Sequence, residues 1–501
     1  MVIGWTFPVV RFHTMHLQKA NLHINKSMQT SSFLFYMSKF AKTKEGIQMN
    51  KNYEMDMCNG PLTKKIFLFT LPLIFSNVLQ LLFNAADMIV VGKFAGDSAL
   101  AAVGATTSLT QLLVNFFIGL SVGANVLIAR YYAANLKEDT SKTVHTAIAL
   151  SLVCGVILSI IGFFISRPML ILMGTPEEHN VLHLATLYLQ VYFLGMPVIM
   201  LYNFGSAILR AIGDTKRPLY FLMVAGVINV LFNLFFVIVL DLSVVGVALG
   251  TIISQLISSI CIIVCLVKNT GLCHLDLRKV RLHGTYLKKI LFIGTPAGLQ
   301  SVVFSISNVL IQSSVNSFGN VAITGNSAAA SVEGFVYVAM NSFSHTALNF
   351  TSQNIGAKKY NRIPKILITC LFMVSFTGLA LGITAYLGGN TLLAFYTDSK
   401  DAIVYGLIRM SVVCVYYFLC GTMDVFVGCI RGLGYSVIPM IVSIIGACGL
   451  RIVWIFTIFS KWHTLKILYF SYPFTWTVTI LAHFVCFILV YRKTCAEAKI
   501  N

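Results

Sequence analysis

The chain has 501 residues, of which 57% are hydrophobic and 11% charged, with a formal net charge of +19. A soluble globular domain carries about 25% charged residues, so this composition excludes one and points to a polytopic membrane protein. The apolar runs are continuous rather than short and alternating, which excludes a β-barrel, and the excess of Lys and Arg reads first as membrane topology rather than nucleic-acid binding.

Residues 1–60 hold His13, His16, His23 and many Lys and Ser around short apolar patches such as Phe33–Tyr36. No apolar stretch followed by a small-residue cleavage site marks a signal peptide. The expectation is a disordered cytoplasmic extension or a weak surface helix; a natural start at Met49 or Met55 is the alternative.

From Lys64 onward, apolar windows predict twelve spans, at about 66–93, 99–131, 143–166, 183–211, 217–240 and 245–267, then 288–316, 322–352, 363–388, 404–432, 437–459 and 468–491. Span one contains LPLIFSNVLQLLFNAADMIVVG (Leu71–Gly92). Within it Asn77, Gln80, Asn84 and Asp87 step by three, four and three residues and so share one helical face. A carboxylate facing lipid costs several kcal/mol, so Asp87 is expected to face protein or trapped water. Span two carries Gly119-Leu-Ser121-Val-Gly123, which fits the GxSxG of a serine-hydrolase elbow. That motif needs a strand-to-helix turn with His and Asp partners, so close helix packing is the preferred reading here.

Between spans six and seven, from about Lys268 to Lys289, lies a basic linker. It joins the other loops on its side in holding seventeen Lys and Arg, against five (Lys93, Arg167, Lys400, Lys461 and Lys466) on the opposite side. Positive residues stay in the cytoplasm, so both termini are expected there, in a cell membrane. The twelve cysteines form no paired CxxC set and read as small core residues.

The two halves repeat. Pro72 pairs with Pro296 and Asn84 with Asn308, both at an offset of 224 residues. LRAIGDTKRP (Leu209–Pro218) pairs with IRGLGYSVIP (Ile430–Pro439) at an offset of 221. Six spans per repeat return the chain to the side it entered from, so the repeats are parallel and related by an axis along the membrane normal. Transporters built this way place substrate between the halves and alternate access by rocking them. The predicted fold is therefore an all-α polytopic membrane protein of twelve helices in two six-helix repeats with a pseudo-two-fold along the normal. A lobe over 61–270, a cytoplasmic linker over 271–287, a lobe over 288–492 and a tail over 493–501 divide it. Span seven repeats the polar stripe as Ser301, Ser305, Asn308 and Gln312, which makes Gln80, Asn84 and Asn308 candidates for lining a central cavity.

Further polar residues sit inside spans. Glu333 could bind a cationic substrate or relay protons, or form a buried pair. Tyr337 and Phe335 beside it would offer ring faces to a cation, although span aromatics are more often packing. Asp424 is the repeat mate of Asn203, and both are candidate cavity residues; a salt bridge from Asp424 to Arg451 is the structural alternative.

The stretch LPLIFSNVLQLLFNAADMIVVGKFAGDSALAAVGA, together with LRAIGDTKRP after span four and SQNIGAKKYNR after span eight, resembles the MATE (multidrug and toxic compound extrusion) family across about Lys64 to Arg492. The likeness is greatest to the bacterial branch that includes the DNA-damage-inducible type. It implies export of cationic or amphipathic compounds driven by inward protons or sodium, without a cofactor or metal and as a monomer. It also implies a cation site in the first half built from a span-one Asp, an Asn and an Asp one turn apart on span five, and a span-six Thr. Asp87, Asn229, Asn233 and Thr251 occupy those positions, with Asn233 where the pattern has Asp. The three neutral residues would otherwise read as inter-helix hydrogen bonds. Some relatives carry a functional Asp on span ten, nearer its start than Asp424.

The competing classes are a flippase for lipid-linked or polysaccharide intermediates, which would need a strongly cationic cavity, and an intramembrane hydrolase through Ser121. The neutral to acidic stripes favour the exporter. No P-loop, HExxH or dinucleotide-binding glycine motif is present, so neither ATP drive nor metalloprotease chemistry has support.

Overall fold

A computed structural model describes residues 53–177 and 180–500. The helices that follow lie where the apolar windows put them, most starting two to six residues earlier and most ending within two residues of the expected end. In the first half, span one is Leu62–Ala95, span two Asp97–Ala133, span three Lys137–Leu172, span five Lys216–Val239 and span six Ser243–Val267. Span four is a pair, Val181–Leu194 and Met196–Ala211, bent by 50° at Gly195, with Pro197 in the first turn of the second segment. In the second half, span seven is Gly284–Asn316, span nine Tyr360–Leu387, span ten Lys400–Gly432, span eleven Val437–Phe459 and span twelve Leu465–Ala498. Span eight, Asn320–Gly356, is a 37-residue helix in its repeat position, but it is too polar to pass as a span on hydropathy alone.

The repeat is written into the turns. Gly213 and Gly434 both have φ near +90° and end spans four and ten, a left-handed geometry that a side chain resists. After Gly213, Asp214 caps span five by accepting from the backbone N–H groups of Lys216 (3.2 Å) and Arg217 (3.1 Å), and it also pairs with the Arg217 guanidinium. Pro72 and Pro296 sit at matching points inside spans one and seven.

The lobes meet along the ends nearest the basic loops. A Cβ on Gly119 would lie 2.3 Å from the backbone N of Gly298, and one on Gly123 would lie 2.1 Å from the Ile290 carbonyl, so spans two and seven touch backbone to backbone. Spans one and eight are tied by Thr70 to Thr346 (2.8 Å), Asn77 to Ser342 (3.0 Å) and an edge-on Phe69–Phe350 pair. Further along the same spans Gln80, Asn84 and Asn308 are exposed. The close contacts between the lobes thus lie toward the basic side.

The expected disorder of the N-terminal extension falls, for residues 1–52, outside the described residues. From Tyr53 the expectation is corrected: Tyr53–Gly60 packs against both lobes. Glu54 accepts from the Tyr132 hydroxyl (2.8 Å), the Met57 carbonyl accepts from Asn354 (3.2 Å), and the Met57 side chain is fully buried. The linker between lobes is docked as well, with Cys273 and Leu275 buried and the Asp276 backbone N–H bonded to His145 (3.1 Å). The Arg278 backbone N–H bonded to Asp276 holds that carboxyl below its ordinary range.

Candidate functional site

Spans one, five and six bring Asp87, Asn229, Asn233 and Thr251 into a single cluster. Asp87 Oδ1 accepts from Asn233 Nδ2 at 2.5 Å and Oδ2 from the Thr251 hydroxyl at 3.3 Å. Asn233 Nδ2 also reaches Asn229 Oδ1 (3.4 Å), and Asn229 Nδ2 donates to Thr251 (3.3 Å). Asp87, Asn229 and Asn233 are all buried.

Local sequence explains the convergence. The one-turn spacing of Asn229 and Asn233 sets both on the face of span five that meets span one. Gly226 on the same helix admits the Phe83 ring of span one, and Gly250 of span six leaves the room that Asn233 Oδ1 occupies. That oxygen is buried and has no hydrogen-bond partner. The cluster therefore gathers one carboxylate with amide and hydroxyl oxygens, a hard-donor set suited to a proton or a small cation. Toward the ends of the spans away from the basic loops, Val90, Val103, Tyr188, Val237 and Val247 belong to one buried apolar cluster.

The other candidate residues do not join this cluster. Asn203 spends its amide on its own helix, donating to the Ile199 carbonyl (3.0 Å). Gln80, Asn84 and Asn308 are exposed residues of spans one and seven.

Of the two readings open for Glu333, the buried pair is the one that forms: Arg409 of span ten grips it with two bonds, Nε to Oε1 at 2.8 Å and Nη2 to Oε2 at 2.6 Å. Arg409 Nη1 goes on to Asn326 Oδ1 (2.7 Å), and the Tyr469 hydroxyl donates to the same oxygen (3.0 Å). Sequence reasoning missed Arg409 as a partner; a cation inside an apolar run with one acid in the facing helix was the available signal.

The proposed Asp424–Arg451 bridge does not form. Asp424 has Arg431 as its charged neighbour, and Arg451 instead lies with its guanidinium 4.1 Å from the centre of the Tyr472 ring. Ser121 donates to the Ile118 carbonyl within its own helix (2.7 Å), and its flanking glycines are the interlobe contact, so the elbow reading fails on geometry.

Comparison with known proteins agrees with this architecture. The MatE family model matches residues 72–235 and again 296–457, one match per repeat. The "Probable multidrug resistance protein YoeA" of Bacillus subtilis is 28% identical over 86% of this chain and 94% of its own length. The "Multidrug export protein MepA" of Staphylococcus aureus is 22% identical over 75% of this chain and 82% of its own. A crystal structure of a MATE protein in the bent conformation superposes with a TM-score of 0.79 at 22% identity, covering 89% of this chain and 98% of the other. With both repeats matched and the twelve-helix fold shared, the chain is a membrane transporter rather than an enzyme and belongs to the MatE family.

Proposed function

We propose that this transporter exports cationic or amphipathic compounds across the cell membrane in exchange for a proton or a sodium ion. Both termini and the basic loops would then face the cytoplasm. The observation that carries the reading is the buried Asp87 carboxylate held by Asn233 of span five and Thr251 of span six. The inward ion gradient supplies the drive; the membrane potential adds about 2.3 kcal/mol per 100 mV only for each net charge moved, so it helps expel a neutral or zwitterionic compound and cancels for a monocation exchanged one for one. Asp87 takes the ion from outside as substrate leaves; after the lobes rock, the ion leaves inward and substrate loads.

The test is ethidium efflux in a pump-deficient host, with counterflow in proteoliposomes under separately varied sodium and pH gradients. Asp87→Asn keeps the size and removes the charge, and it should abolish gradient-driven efflux. Undiminished efflux rejects the role given to Asp87.

A further inference from the structure

The C-terminal lobe holds an arginine with no counter-ion. Arg451 is 2% exposed, and its Nε and Nη1 have no hydrogen-bond partner. No carboxylate lies within ion-pair distance of it among the described residues. Glu333, the buried acid of the same lobe, is fully engaged by Arg409. Arg409 and Arg451 share the Tyr472 ring, with guanidinium carbons 5.8 and 4.1 Å from its centre. Two guanidiniums thus surround one ring and one carboxylate, leaving one positive charge unbalanced. An uncompensated charge away from water is costly, and donors left empty add to that cost. The ring face recovers part of it, but it cannot fill N–H groups that lie in the guanidinium plane.

The surroundings define what would fill them. From Tyr472 a run of rings leads outward: Trp476 at 5.4 Å, Tyr417 at 5.3 Å from Trp476, and Tyr337 at 6.3 Å from Tyr417. Tyr337 is 39% exposed, so the outermost ring of this packed run reaches the surface of span eight. Arg451 also lies between two π-helical turns, Ile444–Gly449 and Ile455–Phe459, a backbone irregularity that often accompanies ligand sites. The 221-residue repeat offset places Arg451 beside the position of Asn229, so the two lobes carry their polar interiors at corresponding depths.

We propose that Arg451 is a binding site for the anionic group of an aromatic substrate, with a planar carboxylate accepting from its open N–H groups and the ring lying along Tyr472 and Trp476. This rests on the export reading and narrows its substrate class: compounds with a carboxylate on an aromatic frame, zwitterions included, would use the C-terminal lobe. A carboxylate matches the guanidinium fork, whereas a purely cationic compound meets net positive charge there.

The experiment is equilibrium dialysis of the full-length purified protein in detergent with nalidixate, an aromatic acid that is anionic at neutral pH, and with its uncharged methyl ester. The wild type should bind the acid about tenfold or more tightly than the ester, the size of a charged hydrogen-bond contribution. Arg451→Gln should erase that preference while leaving ester binding in place. Arg451→Lys retains the charge without the fork and should keep part of it; this variant decides the matter if Arg451→Gln does not elute as a monodisperse peak. Equal binding of acid and ester by the wild type, no binding of either, or an acid preference that survives both substitutions overturns the proposal. The readout needs no ion gradient, so it stands or falls separately from the coupling role of Asp87.

Discussion

Gly250→Ala is the sharpest test of the N-terminal cluster, because it perturbs Asp87 through Asn233 without replacing any polar residue. A Cβ at position 250 would lie 2.1 Å from Asn233 Oδ1 and 3.2 Å from the Asn233 backbone N. The first distance is far inside contact, but the atom is the tip of a side chain and can rotate away. Rotation takes Nδ2 off Asp87 Oδ1, breaking the 2.5 Å bond. A hydrogen bond to a charged group contributes about 1.5–3 kcal/mol, so the stability of the Asp87 carboxylate form should change by roughly tenfold to a hundredfold. Ethidium efflux measured against graded pH or sodium gradients should show the dependence on the coupling ion displaced by that factor. Gly104→Ala is the control, since nothing lies within 4 Å of its added Cβ, and it should behave as wild type. An unchanged ion dependence in Gly250→Ala, with normal expression, would refute the argument that Asn233 tunes Asp87.

Other predictions follow from the packing. Gly119→Ala sets a Cβ 2.3 Å from backbone rather than side chain, so overpacking of about 1–3 kcal/mol should part the lobes on the basic side, seen as increased thiol labelling of a Thr346→Cys reporter. Arg409→Met strands the buried Glu333 carboxylate, and about 3–5 kcal/mol of lost stability should appear as a lower Tm. Adding Glu333→Gln should restore much of that, and a double variant no better than the single one would argue against the pairing. Met57→Ala removes a fully buried anchor at about 2–5 kcal/mol, and limited proteolysis should then cut sooner ahead of span one; an unchanged cleavage rate counts against docking of that segment.

The twelve helices and their repeat were legible because apolar length and glycine–proline punctuation are local properties. Gly213 and Gly434 announce the same turn twice, and Pro72 and Pro296 the same helix position. Of the cluster around Asp87, the residues themselves marked only the acid, an ionisable group inside an apolar run; its grouping with Asn229, Asn233 and Thr251 came through the resemblance to the MATE family, since on their own those three read equally as inter-helix hydrogen bonds. The Glu333–Arg409 pair was not legible. Its members lie 76 residues apart in different spans, and the repeat gives no hint, since the counterpart of Arg409 at the 221-residue offset is Tyr188. The docking of Tyr53–Gly60 was hidden as well, because so short a segment carries no periodicity, and its order comes from backbone and side-chain bonds to both lobes.

A symmetric scaffold with asymmetric charge bears on how ion and substrate are exchanged. Asp87 has no acidic twin: at the 224-residue offset of span one its counterpart is Ile311, buried in the core of the other lobe. The second lobe places its unbalanced charge on Arg451, of opposite sign and on a different helix. An ion at Asp87 and an anionic group at Arg451 would share no ligand atom, so direct displacement could not enforce one-for-one exchange between them. Coupling would have to pass through the relative stability of the two lobe arrangements, each ligand biasing that equilibrium by its own differential affinity. The contacts available to carry such a bias are the close ones on the basic side: the backbone seam of Gly119 on Gly298, and the Thr70–Thr346 and Asn77–Ser342 bonds from span one, the helix that holds Asp87, to span eight, the helix that holds Glu333. Protonation or ion binding at Asp87 would thus be linked, through the single helix of span one, to the bonds that join the lobes on the basic side.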